Sequence, residues 1–461
     1  MKVRLFPHFF VTISCKTVLI LFKVIMHKTV ALLSLFFCSV VLAQSFNKAK
    51  MDEFMNALEQ NNKFSGSVAL LDDQHMVYSR AVGFADAENK VKNTADTKFR
   101  IGSITKTFTA VLIMKAVEEK KLKLTDRLSN FFPEIKNAGK ITISHLLSHR
   151  SGIPNVTARP DYLLWNQTPK TQEEMLQLIA VNESDFNPGL KMNYSNSGYI
   201  LLTFILEKIY GKSYSEILEE KITKPLALHN TYYGGKINSA NAEAYSYNLF
   251  DMAKSTETDM SVPSGAGAIV STTTDLLKFI GNLFRNRIVT AASLAEMTKM
   301  TDNYGYGLFS VPFHDNTGFG HNGGIDGFSS ALYYFPELKI GYVMLSNGSS
   351  FDNNKIAIAA MRAATGKEVT VPDFKTVQLN ASLIKNYVGT YSSTQIPLKI
   401  EVREKEGLLF AQATGQGEFP LQATSENTFV FEEAGIEMVF DADHKKMTLN
   451  QAGMKIPFTK E

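Results

Sequence analysis

A serine and a lysine three positions apart, Ser103 and Lys106, open a run whose apolar residues recur at helical intervals: Ile104, Phe108, Val111, Leu112 and Val117. That spacing predicts an amphipathic helix from Ser103, with hydroxyl and amine stacked on one face. Serine is a weak nucleophile until a neighbouring base takes its proton. An amine one turn away does so when partial desolvation pulls its pKa down. The N–H groups at the helix start would face a developing oxyanion. Tyr194-Ser195-Asn196 adds a phenol and a carboxamide. A phenol of pKa about 10 becomes a base or proton shuttle beside an ammonium that favours its phenolate. A carboxamide can hold an amine and a substrate carbonyl together, although an ordinary helix cap is the other reading of this tripeptide. In Gly320-His321-Asn322-Gly323-Gly324 the glycines allow close approach of backbone to a ligand. Its Gly324 N–H is a candidate second oxyanion donor opposite that of Ser103, with a glycine-rich turn and solvated histidine as the alternative.

These residues need a scaffold. Phe64 to Leu71 and Met76 to Val82 read as two strands around Asp72-Asp73-Gln74. A mixed, mostly helical stretch runs from about Thr125 to Phe284. In it, Thr171 and Glu174 form a capping box for a helix through Ala180, and Ser197 to Tyr210 reads as a helix stopped by Gly211. Ser329 to Phe335 and Lys339 to Ser346 form a further hairpin turned at Pro336-Glu337. Strands at both ends with helices between them predict an α+β layer fold. After Gly366, Thr370-Val371-Pro372-Asp373 reads as a linker. Short strands follow at Tyr387–Tyr391, Leu398–Val402, Leu408–Gln412, Thr428–Phe431, Met438–Phe440 and Met447–Gln451, the pattern of a small all-β barrel or sandwich.

The first 43 residues read as a secretory signal, with Met26 as an alternative start. His27 and Lys28 precede an apolar stretch from Val30 to Leu42 and then Ala43, which predicts cleavage before Gln44. An uncleaved anchor using the stretches near Phe9–Phe22 and Val30–Leu42 is the alternative, and the only membrane contact foreseen. Removing the five basic residues Lys2, Arg4, Lys16, Lys23 and Lys28 takes the formal charge from +3 to −2. Without a basic block, no nucleic-acid partner is expected. Cys15 and Cys38 leave with the segment, so the mature chain would hold no disulfide and no thiolate site. The predicted domains are a catalytic unit over 44–369 and a small β-domain over 374–461, exported to the periplasm or medium.

His145 and His149 have a zinc-compatible i, i+4 spacing, but Leu146 stands where a metalloprotease needs glutamate, so no metal site is expected. Trp165, the single tryptophan, and Tyr304-Gly305-Tyr306-Gly307 either border the cleft or pack beneath it.

Taken in order, Ser103-Ile104-Thr105-Lys106, Tyr194-Ser195-Asn196 and His321-Asn322-Gly323 resemble one family. It comprises the class C β-lactamases, the serine D-Ala-D-Ala carboxypeptidases and related esterases and D-aminopeptidases. Leu146-Leu147-Ser148-His149-Arg150-Ser151-Gly152-Ile153-Pro154, Ser264-Gly265-Ala266-Gly267 and Ser271-Thr272-Thr273-Thr274-Asp275-Leu276 match it too. The resemblance covers roughly Phe64 to Ala364, and the C-terminal segment looks like the small β-domain often appended to such hydrolases. It implies Ser103 as acylated nucleophile, Lys106 and Tyr194 sharing acid/base work, and Asn196 orienting lysine and substrate. His321 and Gly323 would mark the strand flanking the pocket, and no metal or organic cofactor is required. Penicillin-recognising members often carry Lys-Thr-Gly where His321-Asn322-Gly323 stands here. A histidine of pKa about 6.5 is mostly neutral at pH 7, which points toward ester, amide or D-amino-acid peptide substrates and away from β-lactams. The alternative is a penicillin-binding protein or pseudoenzyme that binds or acylates without significant turnover.

Overall fold

The structure is a computed structural model describing residues 46–461 apart from 182, 250, 251, 375, 376, 378, 442, 444, 452 and 453. The expected signal segment lies outside the described residues. Strands β1 (Phe64–Asp72) and β2 (His75–Val82) form the first hairpin. They join β3 (Phe309–Phe313), β4 (Asn316–Ile325), β5 (Phe328–Phe335) and β6 (Ile340–Ser349) in an antiparallel sheet ordered β2-β1-β6-β5-β4-β3. Strands from the two ends of the domain therefore meet at its centre, where Phe64 pairs with Ser349 and Asp72 with Ile340.

The principal helices are α1 (Lys48–Gln60), α2 (Thr105–Glu118), α3 (Gln172–Ala180), α4 (Asn196–Tyr210), α5 (Thr273–Phe284) and α6 (Asn353–Ala364). Because strand side chains alternate, β1 and β6 serve two cores. Val68, Leu70, Tyr342 and Met344 join one with Phe54 of α1 and Ile356 of α6. Ala69, Leu71, Val343 and Leu345 join the other with Phe108 of α2 and Phe279 of α5, whose rings stack at 3.8 Å. The capping box at Thr171 starts α3 as expected. Gly211 ends α4 at φ 64°, the left-handed conformation that glycine adopts without steric cost.

Two expectations are revised. Ser103 lies in a 3-10 turn, Gly102–Ile104, immediately before α2, so it precedes the α-helix. And α2 is not amphipathic: Thr105, Lys106, Thr107 and Thr109 are as buried as its apolar residues. Packing against both sheet and helices encloses them, and hydrogen bonds compensate the burial. Thr107 donates to the Gly307 carbonyl at 2.7 Å and Thr109 to that of Gly265 at 2.6 Å.

The C-terminal domain is a closed barrel of eight strands in sequence order, its first strand, Gly389–Ser392, pairing with its last, Met454–Lys460. The strand expected from Tyr387 begins only at Gly389, because Ala381–Tyr387 is a helix capped by Asn380 whose Ile384 and Tyr387 enter the barrel core. Two strands escape sequence pattern, Glu418–Ala423 and Met454–Lys460. Each contains a proline (Pro420, Pro457), a residue that argues against a strand interior. Lys355 of α6 pairs with Glu432 of the barrel domain at 3.2 Å.

Candidate active site

Gly102 sets the position of Ser103. Its φ is +48°, and a Cβ there would stand 2.7 Å from the Gly324 nitrogen. Only glycine lets the turn carrying Ser103 press against β4 in this way. One turn on, Lys106 is completely buried. Its Nζ lies 2.8 Å from Ser103 Oγ, 2.7 Å from Asn196 Oδ1 and 2.8 Å from the Ala266 carbonyl. Burial pushes the amine well below its usual pKa. Nζ donates to all three when protonated; once burial has removed that proton, the two carbonyl oxygens, which can only accept, keep both N–H bonds and the lone pair faces the Ser103 hydroxyl.

The Asn196 oxygen faces the lysine for a traceable reason. Its Nδ2 donates to Thr157 Oγ1 at 2.7 Å, and that hydroxyl donates to Asn155 Oδ1 at 3.1 Å. Asn155 Oδ1 also accepts from the Asn196 backbone N–H at 3.0 Å. The carboxamide therefore has one orientation. Asn155 and Thr157 are missed by sequence reasoning, although Asn155 before a short turn is a recognisable cap. The Ala266 carbonyl has no side-chain signature.

Tyr194, in the loop leading into α4, interacts with Ser103 through its hydroxyl, and burial raises its pKa. Lys106 Nζ lies 4.9 Å from its ring centroid. The sequence suggests a phenolate favoured by an ammonium; the structure has desolvation as the larger influence, which keeps the phenol protonated and makes it a proton donor at rest.

Ser103, Asn196 and Gly324 border a cavity of about 490 Å³, together with Leu163 and Asp326. His321 and Gly323 do not line it. A Cβ on Gly323 would meet the Ile101 carbonyl at 2.1 Å, so this glycine seats β4 on the serine turn. His321 is buried among Tyr194, Tyr304 and Phe309. Asp326, at the β4–β5 turn, receives Arg100 at 2.6 Å and the Thr258 hydroxyl at 2.6 Å. Arg100 is nearly inaccessible, so this pair braces the turn beside Gly324. His145 is used in a capping box with Thr142. Trp165 packs against the core and Tyr162, while Leu163 of the same short helix, Tyr162–Trp165, lines the cavity.

A serine one turn before a buried amine, on a helix packed between an antiparallel sheet and a helical region, defines the serine β-lactamase and penicillin-binding class. The chain belongs to the beta-lactamase family, whose model matches residues 48–365. A teichoic acid D-alanine hydrolase of Staphylococcus aureus (strain MRSA252) is 30% identical over 317 residues, 67% of this chain and 75% of that protein. Penicillin-binding protein 4* of Bacillus subtilis (strain 168) is 26% identical over 433 residues, 86% of this chain and 94% of that protein. The octameric penicillin-binding protein homologue from Pyrococcus abyssi superposes with a TM-score of 0.64 at 25% identity, covering 90% of this chain and 100% of that one. The D-amino acid amidase from Ochrobactrum anthropi SV3 complexed with D-phenylalanine gives 0.60 at 25% identity, covering 68% and 99%.

Proposed function

We propose that this protein is an exported serine hydrolase that cleaves a small ester or amide, with a D-aminoacyl group as the favoured acyl part. The single observation that carries the reading is Lys106, buried, with two of its three partners able only to accept. In the first step the Ser103 proton passes to the Lys106 lone pair while Oγ bonds to the substrate carbonyl carbon. The resulting oxyanion lies between the N–H groups of Ser103 and Gly324. Collapse breaks the bond to the leaving alcohol or amine, which takes a proton from the Tyr194 hydroxyl, and Lys106 returns its proton to Tyr194. Water then attacks the acyl-enzyme by the same steps in reverse roles.

The cavity supports an ester or amide. Among the described residues lining it, none is lysine, arginine or histidine, so a substrate carboxylate meets no cationic side chain on that wall. The relatives named for D-alanine and D-amino acid substrates support the D-aminoacyl choice. Export follows from the leader-like N-terminal sequence.

The test is intact mass after exposure to a fluorophosphonate, beside a Ser103→Ala control. One adduct, absent from the control, followed by release of D-alanine from a D-alanyl ester, is the expected result. No adduct on folded wild type overturns the reading in favour of a binding protein.

A further inference from the structure

Behind the catalytic residues lies a row of buried polar groups that the reaction does not use. His149 and His321 are 2% and 4% exposed, and Tyr304 lies between them, with its hydroxyl 3.1 Å from His149 Nε2 and 2.9 Å from His321 Nε2. At one end, His149 Nδ1 faces the Ser195 backbone N–H at 3.2 Å. At the other, His321 Nδ1 faces the Asn322 carbonyl at 2.5 Å.

These end partners decide the ring protons. The Ser195 N–H can only donate, so His149 Nδ1 is bare. The Asn322 carbonyl can only accept, so His321 Nδ1 carries hydrogen. For neutral rings, His149 Nε2–H then donates to the Tyr304 oxygen, and the Tyr304 hydroxyl donates to His321 Nε2. Neutral rings follow from the surroundings. His149 is packed by Tyr194, Tyr199 and Tyr304, and His321 by Tyr194, Tyr304 and Phe309. Burial above all, and the Lys106 amine whenever it is protonated, hold His321 down to about 3 and His149 well below its normal value. The Tyr199 hydroxyl gives its proton to the Leu147 carbonyl at 2.7 Å, so its oxygen is a second acceptor for the Tyr304 hydroxyl, which leaves both ring tautomers unchanged.

The row joins two walls of the site. The residues on either side of Tyr194 both donate backbone N–H groups to His149, Asn193 to its carbonyl at 2.9 Å and Ser195 to its ring. The Tyr194 ring rests on the His149 ring at 4.2 Å. His321 stands on β4, three residues before Gly324. We propose that His149, Tyr304 and His321 are positioning residues: a one-way hydrogen-bond chain, with its imidazoles in opposite neutral tautomers, holds the Tyr194–Asn196 loop in register with the oxyanion strand. The positioning role rests on the hydrolase reading above; the tautomers do not.

The experiment is ¹⁵N-imidazole NMR of the full mature chain at pH 7, assigned with His149→Gln and His321→Gln, alongside Tyr304→Phe. The expected wild-type spectrum has His149 protonated only at Nε2 and His321 only at Nδ1. Tyr304→Phe keeps the ring but removes the link. It is expected to lower kcat about 10-fold with KM within about 2-fold. Equal tautomers or an imidazolium in wild type overturns the chain, without reliance on any variant folding. Wild-type kcat in folded Tyr304→Phe, or a loss confined to KM, overturns the positioning role. Fluorophosphonate labelling of the same sample separates the two readings. An adduct with equal tautomers overturns the chain alone, whereas opposite tautomers without an adduct overturn the catalytic reading and the positioning role with it.

Discussion

At the scale of residues, the site works by removing alternatives. Lys106 has two obligate acceptors and one amphoteric partner, which leaves its lone pair a single direction, toward Ser103. Asn196 keeps its oxygen on the lysine because Thr157 accepts from its nitrogen. A prediction follows for Thr157→Val, which preserves shape and deletes that acceptor. The carboxamide then loses its fixed orientation, and kcat/KM for a small ester should fall roughly 10- to 100-fold, as expected for about 1–3 kcal/mol from one unpaired buried group. Thermal unfolding measured alongside should shift by only a few degrees. Activity within twofold of wild type would show that the Asn155–Thr157 pair is not what orients Asn196.

Reading the sequence alone recovers the chemical groups better than their surroundings. Ser103, Lys106, Tyr194 and Asn196 are recovered by type, spacing and motif order together, since the Ser-x-x-Lys spacing alone also occurs at Ser45–Lys48 and Ser382–Lys385. Asp326-Gly327 is a strong hairpin signal, and the structure turns β4 into β5 there with φ of +51° and +83°. It passes unread because the preceding glycine run obscures the strand. The direction of the Tyr194 shift is not legible at all, because it depends on how completely other segments exclude water.

At the scale of elements, the short helix Tyr162–Trp165 forms the rim. Leu163 and Leu164 are 74% and 86% exposed, yet the turn holding them is braced by the Arg159–Asp161 ion pair at 2.9 Å and by Asn166 on Thr258 at 2.9 Å. A braced apolar residue that lines the cavity beside Ser103 offers an apolar surface without ordering a loop. Covering half a leucine side chain is worth about 1 kcal/mol. Leu163→Ser is therefore expected to raise KM about fivefold for esters with a bulky apolar group, leaving acetyl esters and kcat nearly unchanged. A uniform change across an acyl-length series would place Leu163 outside the substrate's path.

The same scale explains which elements are legible. The capping box of α3 and the Gly211 stop of α4 are local signals, fixed by neighbours in sequence. The burial of α2 on all sides is not local. It arises because Gly265, Gly307 and the sheet close over its threonines, and no window of α2 residues contains that information. The two barrel strands interrupted by proline fail for the opposite reason: local chemistry argues against a strand that closure of the barrel imposes.

At the scale of the molecule, the buried bases make stability depend on pH. The folded pKa of His149 and of His321 lies below the unfolded value, so below about pH 6.5 the unfolded chain binds protons that the native state refuses. Stability from these groups is complete above about 6.5 and is lost as pH falls toward the folded value, about 3 for His321. Each contributes a slope of about 1.4 kcal/mol per pH unit. Lys106 acts with the same sign between its folded value and its normal one. Urea midpoints are expected to drop steadily from pH 6.5 to 4.5 in wild type and less steeply in His321→Gln. A flat wild-type profile over that interval would contradict neutral buried imidazoles.

The meeting of β1 with β6 also sets a clock. Phe64 finds its partner only at Ser349, and at about 5–20 residues per second of synthesis the two are separated by roughly 15 to 60 s. Until then β1 lacks its neighbour β6, and until β4 is made, about 25 residues earlier, Ser103 has no Gly324 beside it. A pairing this distant in the chain is slow to form. For roughly the first 70% of its synthesis the chain therefore holds Ser103 and Lys106 without the strand that closes their site.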